Sequence, residues 1–357
     1  MARMTNKKTM TKEKKEPSQK PVAAWLFFCA GAVFLMAVIG AITRLTESGL
    51  SIVRWDPIAG ALPPMDAEGW NKAFAAYKES PQYLKVNSGM DLEAFKKIFF
   101  WEWIHRLWGR LIGVFYALPL VFFWARIPSD RRMAFIGILC LGALQGFIGW
   151  WMVKSGLVNE PAVSHYRLAA HLMLAVVIYA CLFRLALVIG LRPSRDASKL
   201  SGLRKFTKAC IGAVLLTMTW GAFTAGLDAG LLYGDTFPFM GENLWPSEMW
   251  QVHPFWKAFF AEHATVQFTH RVLAVLTFIK IMVLVKRGLP FNPPARIRKI
   301  LIALALVATA QVGLGIATVM THVHIHVAAT HQAGALTLLA LLVWLLHEIP
   351  QARKEKT

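Results

Sequence analysis

The sequence predicts an all-α integral membrane protein: eight transmembrane helices arranged as two tandem four-helix bundles, a parallel internal duplication. Three observations carry this. Long apolar runs recur along the 357 residues, of which 56% are hydrophobic. The connections between runs alternate between dense and sparse Lys/Arg. Four short motifs occur twice, in the same order.

The apolar runs cover about residues 24–44, 99–124, 133–152, 166–190, 207–226, 264–285, 300–320 and 328–348. A membrane span needs about 20 mostly apolar residues. Backbone groups in lipid must be satisfied within the segment, so each run is a helix. Pro119 inside the second run is compatible with this.

The formal charge of +19 suggests nucleic acid only if the charges form a basic stripe. They sit instead in clusters between apolar runs. The N-terminal tail, segments 126–132, 191–205 and 286–299, and the C-terminal tail together hold 23 Lys/Arg. Segments 45–98, 153–165, 227–263 and 321–327 hold 8 over much more chain. The positive-inside rule places both termini in the cytoplasm and the two long loops outside. The first 20 residues are Lys-rich and include Glu13 and Glu16, unlike an Arg-rich, acid-poor transit peptide. They read as a basic cytoplasmic tail before an uncleaved helix. Cys29, Cys140, Cys181 and Cys210 all lie in apolar runs without a CxxC neighbour, and read as small packing residues.

The repeats divide the chain. WEWIHR at 101–106 aligns with VQFTHR at 266–271, and ALQGFIG at 143–149 with TAQVGLG at 309–315. GAITRLTESGL at 40–50 aligns with GAFTAGLDAGL at 221–231, and HLMLAVVIYACL at 171–182 more loosely with HQAGALTLLALL at 331–342. The expected organisation is a tail at 1–23, a first four-helix unit at 24–190, a linker at 191–206, a second unit at 207–348 and a tail at 349–357. Four helices per unit give both units one membrane orientation.

His105, His171, His270 and His331 fall near the starts of helices 2, 4, 6 and 8. All four then lie at one depth, near the outer face, where ionisable residues are costly and point to function. Two histidines on two helices of one bundle suit the two axial positions of haem iron. Zinc would want a third or fourth ligand. The competing role for any one of them is a hydrogen-bonded packing residue. Arg106 and Arg271 each follow a ligand candidate and suit a haem propionate, with snorkelling to headgroups as the alternative. His322, His324 and His326 form an unrepeated tract in a short loop, either plain loop or an accessory metal site. His165, His253, His263 and His347 are also unrepeated and read as surface or packing residues.

The halves differ at one telling position. Glu102 shares a helix face with His105, and its counterpart is Gln267. A carboxylate beside a haem is a candidate general base or a stabiliser of positive charge at the porphyrin edge. An acid favoured near a helix start is the alternative. The asymmetry suggests a first half that binds a haem to be altered and a second that keeps its haem.

EWIHR at 102–106, TRLTESGLSIVRWDPIAGALPP at 43–64, FTHR at 268–271 and THQAGA at 330–335 together resemble the haem A synthase family, nearest its proteobacterial and mitochondrial branch. The resemblance runs from about residue 24 to 348. It implies an oxidoreductase of the bacterial inner membrane that oxidises the C8 methyl of haem O to a formyl group through a hydroxymethyl stage. It implies His270 and His331 as axial ligands of a haem b cofactor, His105 and His171 as ligands of the substrate haem, and Glu102 as the catalytic carboxylate. The apolar tail of haem O implies a site open to lipid. Hand-over from haem O synthase and contact with oxidase assembly factors are further expectations of the family, and a homo-oligomer is left open. No nucleic-acid partner is expected. Some members carry a cysteine pair in an outer loop; this chain has none, so no role of that pair carries over. From the residues alone, a dihaem b-type cytochrome that only passes electrons and a haem carrier stay open.

Overall fold

The computed structural model describes residues 18–54, 59–157, 161–194, 197 and 200–349. The basic N-terminal tail, nearly all of the C-terminal tail and part of the 191–206 linker therefore lie outside the described residues.

Among the described residues the long elements are all helices, and five α-helices start where the sequence supplies a capping acceptor or a proline. α1 (Lys20–Leu45) begins with Pro21 in its first turn. α2 (Ala67–Lys78) is capped by Asp66, which accepts from the Gly69 amide at 2.7 Å, and α3 (Pro81–Lys85) by Ser80. α4 (Leu92–Phe123) is capped by Asp91, which accepts from the Ala94 amide at 2.7 Å. Then follow α5 (Arg132–Gly156), α6 (His165–Gly190), α7 (Leu203–Gly226) and the single turn α8 (Ala258–Ala261). α9 (His263–Gly288) is capped by Glu262 through the Ala264 and Thr265 amides; α10 (Ala295–Met320) and α11 (Ile325–Glu348) complete the set.

Seven of the long helices are apolar enough over their length to cross a membrane: α1, α4, α5, α6, α7, α10 and α11. α9 is as long as they are but more polar, because Gln267, His270, Arg271 and Lys280 punctuate it. The run expected to be the eighth span forms a 26-residue helix whose composition departs from the other seven. α4 has 32 residues, about 48 Å at 1.5 Å per residue, and outreaches the roughly 30 Å hydrocarbon layer. Its extra turns stand among the connections, where Phe95 and Phe99 pack with Phe74 and Tyr77 of α2 into a small separate core. The sequence had given segment 45–98 no secondary structure of its own.

Helices α1, α6, α7 and α11 form the centre, and their facing sides make one continuous core. α4 and α5 flank it on one side; α9 and α10 flank it on the other. Each packing pair has a counterpart: α1 with α4 as α7 with α9, α5 with α6 as α10 with α11, and α1 with α11 as α7 with α6. Large apolar residues such as Leu118, Phe122, Phe147, Leu276 and Leu306 are exposed on the outer helix faces, as lipid-facing positions require.

Polar contacts tie the two groups of helices together at both ends. At the end where α4, α6, α9 and α11 begin, Arg44 pairs with Asp228 at 2.6 Å and donates to the Ala225 carbonyl. At the opposite end the fully buried Glu348 accepts from the Ser194 amide (2.8 Å) and hydroxyl (2.6 Å), Arg296 (3.1 Å) and Trp344 (3.1 Å). His347 bonds the Leu191 carbonyl at 2.9 Å in the same clasp, so it is a packing residue. Cys29 and Cys210 are buried; Cys140 and Cys181 lie on exposed helix surface, and all four are free thiols.

Candidate functional site

The four repeated histidines each sit against a glycine of the preceding long helix. A Cβ added to Gly40 of α1 would lie 3.1 Å from Cε1 of His105 on α4. For Gly149 of α5 and His171 of α6 the distance is 2.9 Å. It is 3.0 Å for Gly221 of α7 and His270 of α9, and 3.0 Å again for Gly315 of α10 and His331 of α11. In all four the nearest ring atom is Cε1; the next is Nδ1 for His105, His171 and His270, while for His331 both nitrogens lie at 3.7 Å. Each imidazole therefore rests on its glycine through Cε1.

The hydrogen bonds show which nitrogen is left for a ligand. The Thr217 carbonyl can only accept, so His270 carries its proton on Nδ1 and donates it there at 3.1 Å. Its Nε2 lone pair is then available to a metal, the arrangement usual for a ligating histidine. Gln145 Nε2 lies 3.1 Å from the His171 carbonyl, 3.1 Å from its Nδ1 and 3.3 Å from its Nε2, and Gln311 donates to the His331 carbonyl at 2.7 Å. Nδ1 of His105 and of His331 is buried without a protein partner. His105 and His171 are electrostatic neighbours, as are His270 and His331. Two neighbouring buried imidazoles in each half are a donor set that could take the axial positions of a haem iron.

The residues flanking these rings differ between halves. Glu102 is 3% exposed and accepts three bonds: from the Ser51 hydroxyl (2.7 Å), the Ile52 amide (2.6 Å) and Arg106 (2.6 Å). Arg106 also donates to the Ile52 and Arg54 carbonyls. In the other half the buried Gln267 donates to the Ala229 and Leu232 carbonyls, both at 2.8 Å, and its own carbonyl oxygen has no partner. Arg271 reaches the Tyr233, Pro238 and Phe239 carbonyls at 3.4–3.5 Å. Both residues thus anchor the loop that follows the preceding long helix. The carboxylate gathers donors, whereas the amide supplies them. Both arginines are committed in part to loop carbonyls, which the sequence did not suggest.

A cleft of about 190 Å³ opens above Glu102, lined by Ser51, Ile52, Arg54, Lys72 and Phe99. It is smaller than typical ligand pockets of roughly 300–1,000 Å³, and none of the four histidines lines it. It is a loop cleft apart from the imidazoles.

The THVHIH tract gathers no metal site. His322 pairs with Asp235 at 3.3 Å, and the His324 and His326 rings lie 5.5 Å apart. Among the described residues no three His, Cys, Asp or Glu side chains converge on one point. His165 bonds the Phe260 carbonyl at 3.0 Å and helps pack α6 onto α8. Sequence reasoning missed the four glycines, Gln145, Gln311 and Ser51. All but Ser51 lie inside the repeated motifs, which had served only to reveal the repeat.

The profile of the COX15-CtaA family, described as cytochrome oxidase assembly protein, matches residues 23–343. A protein named heme A synthase from Rhodospirillum centenum is 47% identical over 343 residues, 95% of this chain and 91% of that one. Heme A synthases from Nitrosospira multiformis and Parvibaculum lavamentivorans are 44% and 42% identical, over 93% and 94% of this chain and 94% and 96% of their own lengths. With the match running through both sets of paired histidines, the chain belongs to the COX15-CtaA family of cytochrome oxidase assembly proteins.

Proposed function

We propose that this chain is a haem A synthase: a multi-pass protein of the bacterial inner membrane, both termini cytoplasmic, that oxidises the C8 methyl of haem O to a formyl group by way of a hydroxymethyl stage. The observation that carries the proposal is the pair of neighbouring buried imidazoles in each half of a chain similar to heme A synthases over nearly its whole length.

Two four-helix units, 24–190 and 207–348, arose by tandem duplication in this account. Four features support it: the matched packing pairs, the matched His–Gly contacts, α9 as the eighth span, and left-handed backbone at both Glu47 (φ 52°) and Asp228 (φ 53°), which occupy one position of the aligned 40–50 and 221–231 motifs.

His270 and His331 would hold haem b, and His105 and His171 would bind haem O as substrate. Methyl to formyl takes up one water and releases four electrons and four protons, and a bound haem b supplies one-electron redox chemistry for such an oxidation. Within the protein, the Nδ1–H bond to Thr217 fixes the His270 tautomer. Glu102 is held rigidly by three donors. A carboxylate so fully used as an acceptor is suited to stabilise positive charge at the porphyrin edge rather than to collect a proton. Arg271 would offer its buried, unpartnered Nε to a propionate, and Arg106 is the corresponding residue of the first half.

Expression in cells that make haem O but no haem A tests this. Extracted pigment should contain haem A or its hydroxylated precursor. Extracts holding only haem O and protohaem would contradict the proposal and favour a cytochrome that passes electrons alone.

A further inference from the structure

We infer that Gly40, Gly149, Gly221 and Gly315 are positioning residues for the axial imidazoles, each setting the ring that lies on it; this rests on the ligand assignment proposed above.

A helix normally screens its carbonyls behind side chains one turn on. At Gly221 that screen is missing. The ladder bond from the Gly221 amide occupies one lone pair of the Thr217 carbonyl, and the other is reached by His270 Nδ1 at 3.1 Å. A Cβ at residue 221 would stand 3.0 Å from Cε1 and 3.5 Å from Nδ1. Relaxed carbon contacts are about 3.5–4.0 Å, so the ring would have to move off the carbonyl that fixes its tautomer. Gly315 meets His331 in the same way at 3.0 and 3.7 Å. Gly149 and Gly40 repeat the contact for His171 and His105.

The contact is not a general property of these helices. Each of the four helices carries a second glycine where an added Cβ meets nothing within 4 Å: Gly31 in α1, Gly146 in α5, Gly212 in α7 and Gly313 in α10. Gly313 and Gly315 are two residues apart, yet only one faces an imidazole. Gly234, in the loop beyond α7, also meets an imidazole, with Cε1 of His322 at 3.2 Å. Among the described glycines inside helices, a Cε1 contact falls only on the four repeated histidines. Small residues that merely let helices approach would not select that ring atom four times.

The test uses the full chain purified in detergent and reads haem b per chain, its low-spin spectrum and its reduction potential. G221A and G315A should lose 10–100-fold in haem b affinity, the usual cost of disturbing a group that orients a metal ligand, or shift the low-spin signature and potential. G212A and G313A should match the parent. G40A and G149A should leave the haem b signals in place and weaken only retention of haem O. H270A and H331A serve as the reference for complete ligand loss.

Alanine favours helix over glycine, so helix formation itself is not put at risk. If G221A and G315A keep haem b with an unchanged spectrum while H270A and H331A lose it, the positioning role is wrong and the ligand assignment stands. If the histidine variants also keep it, both fall. If G221A fails to accumulate while G212A does, the glycine serves packing and the inference is overturned.

Discussion

Glu102 and Gln267 show how one atom type can separate two related sites. Each sits three residues before a paired histidine and anchors the loop beyond it, yet one accepts three bonds and the other donates two. Glu102→Gln should keep the fold and the haem b spectrum while product falls by about 10²-fold or more, the scale seen when one preorganised electrostatic group is removed; chromatography of extracted haems measures it. The position was legible in the sequence because the motif is repeated with a single change. The loop partners were not, since Ser51 and Ile52 lie 50 residues away and only folding brings them near. A second residue-scale prediction concerns the loop beyond α7. The Tyr233 hydroxyl donates to Glu248, which holds that carboxyl below its usual 4.5 and pushes the phenol up to about 12. A depressed carboxyl contributes stability that is fully present above 4.5 and lost as pH falls through the lower native value. Amide protection across residues 232–250, measured relative to the intrinsic exchange rate at each pH, should therefore fall on acidification below about pH 4.5, and Tyr233→Phe should remove most of that dependence.

At the scale of elements, hydropathy located the eight long helices but not all of their ends. α4 starts seven residues before its apolar run because Asp91 caps it and Phe95 and Phe99 find a core outside the membrane. α9 would be undervalued by hydropathy alone; the polar side chains that lower it include His270 and Gln267, which serve the site. The contacts between helices also rank differently from their appearance. The Arg44–Asp228 pair is short but exposed, with Asp228 67% accessible, so Asp228→Asn, which keeps a residue that tolerates the left-handed backbone there, should cost no more than about 1 kcal/mol and less in high salt. Glu348 is wholly buried and satisfies Ser194, Trp344 and Arg296 together. Glu348→Ala strands those donors and should cost about 1–3 kcal/mol, visible as a lower unfolding temperature in detergent. The sequence offered no sign of this clasp, because its members come from three separate segments.

For the whole molecule, the repeat was the most informative feature. It led to the expectation of two four-helix units with four histidines in equivalent places, and the helix contacts within α1–α6 and α7–α11 pair off one for one. The same repeats held Gly40 and Gly221, Gly149 and Gly315, and Gln145 and Gln311. Their meaning stayed hidden because a glycine or glutamine in an apolar run has no chemistry until a ring rests on it. The central claim is that the two halves hold two different haems, one kept and one processed. The haem inventory of protein purified from cells that make both protohaem and haem O tests it most directly. The account predicts about one protohaem per chain, lost in His270→Ala and His331→Ala, with a second population of haem O, its hydroxylated form or haem A that depends on His105 and His171. Two protohaems per chain, unchanged by the supply of haem O, would contradict it.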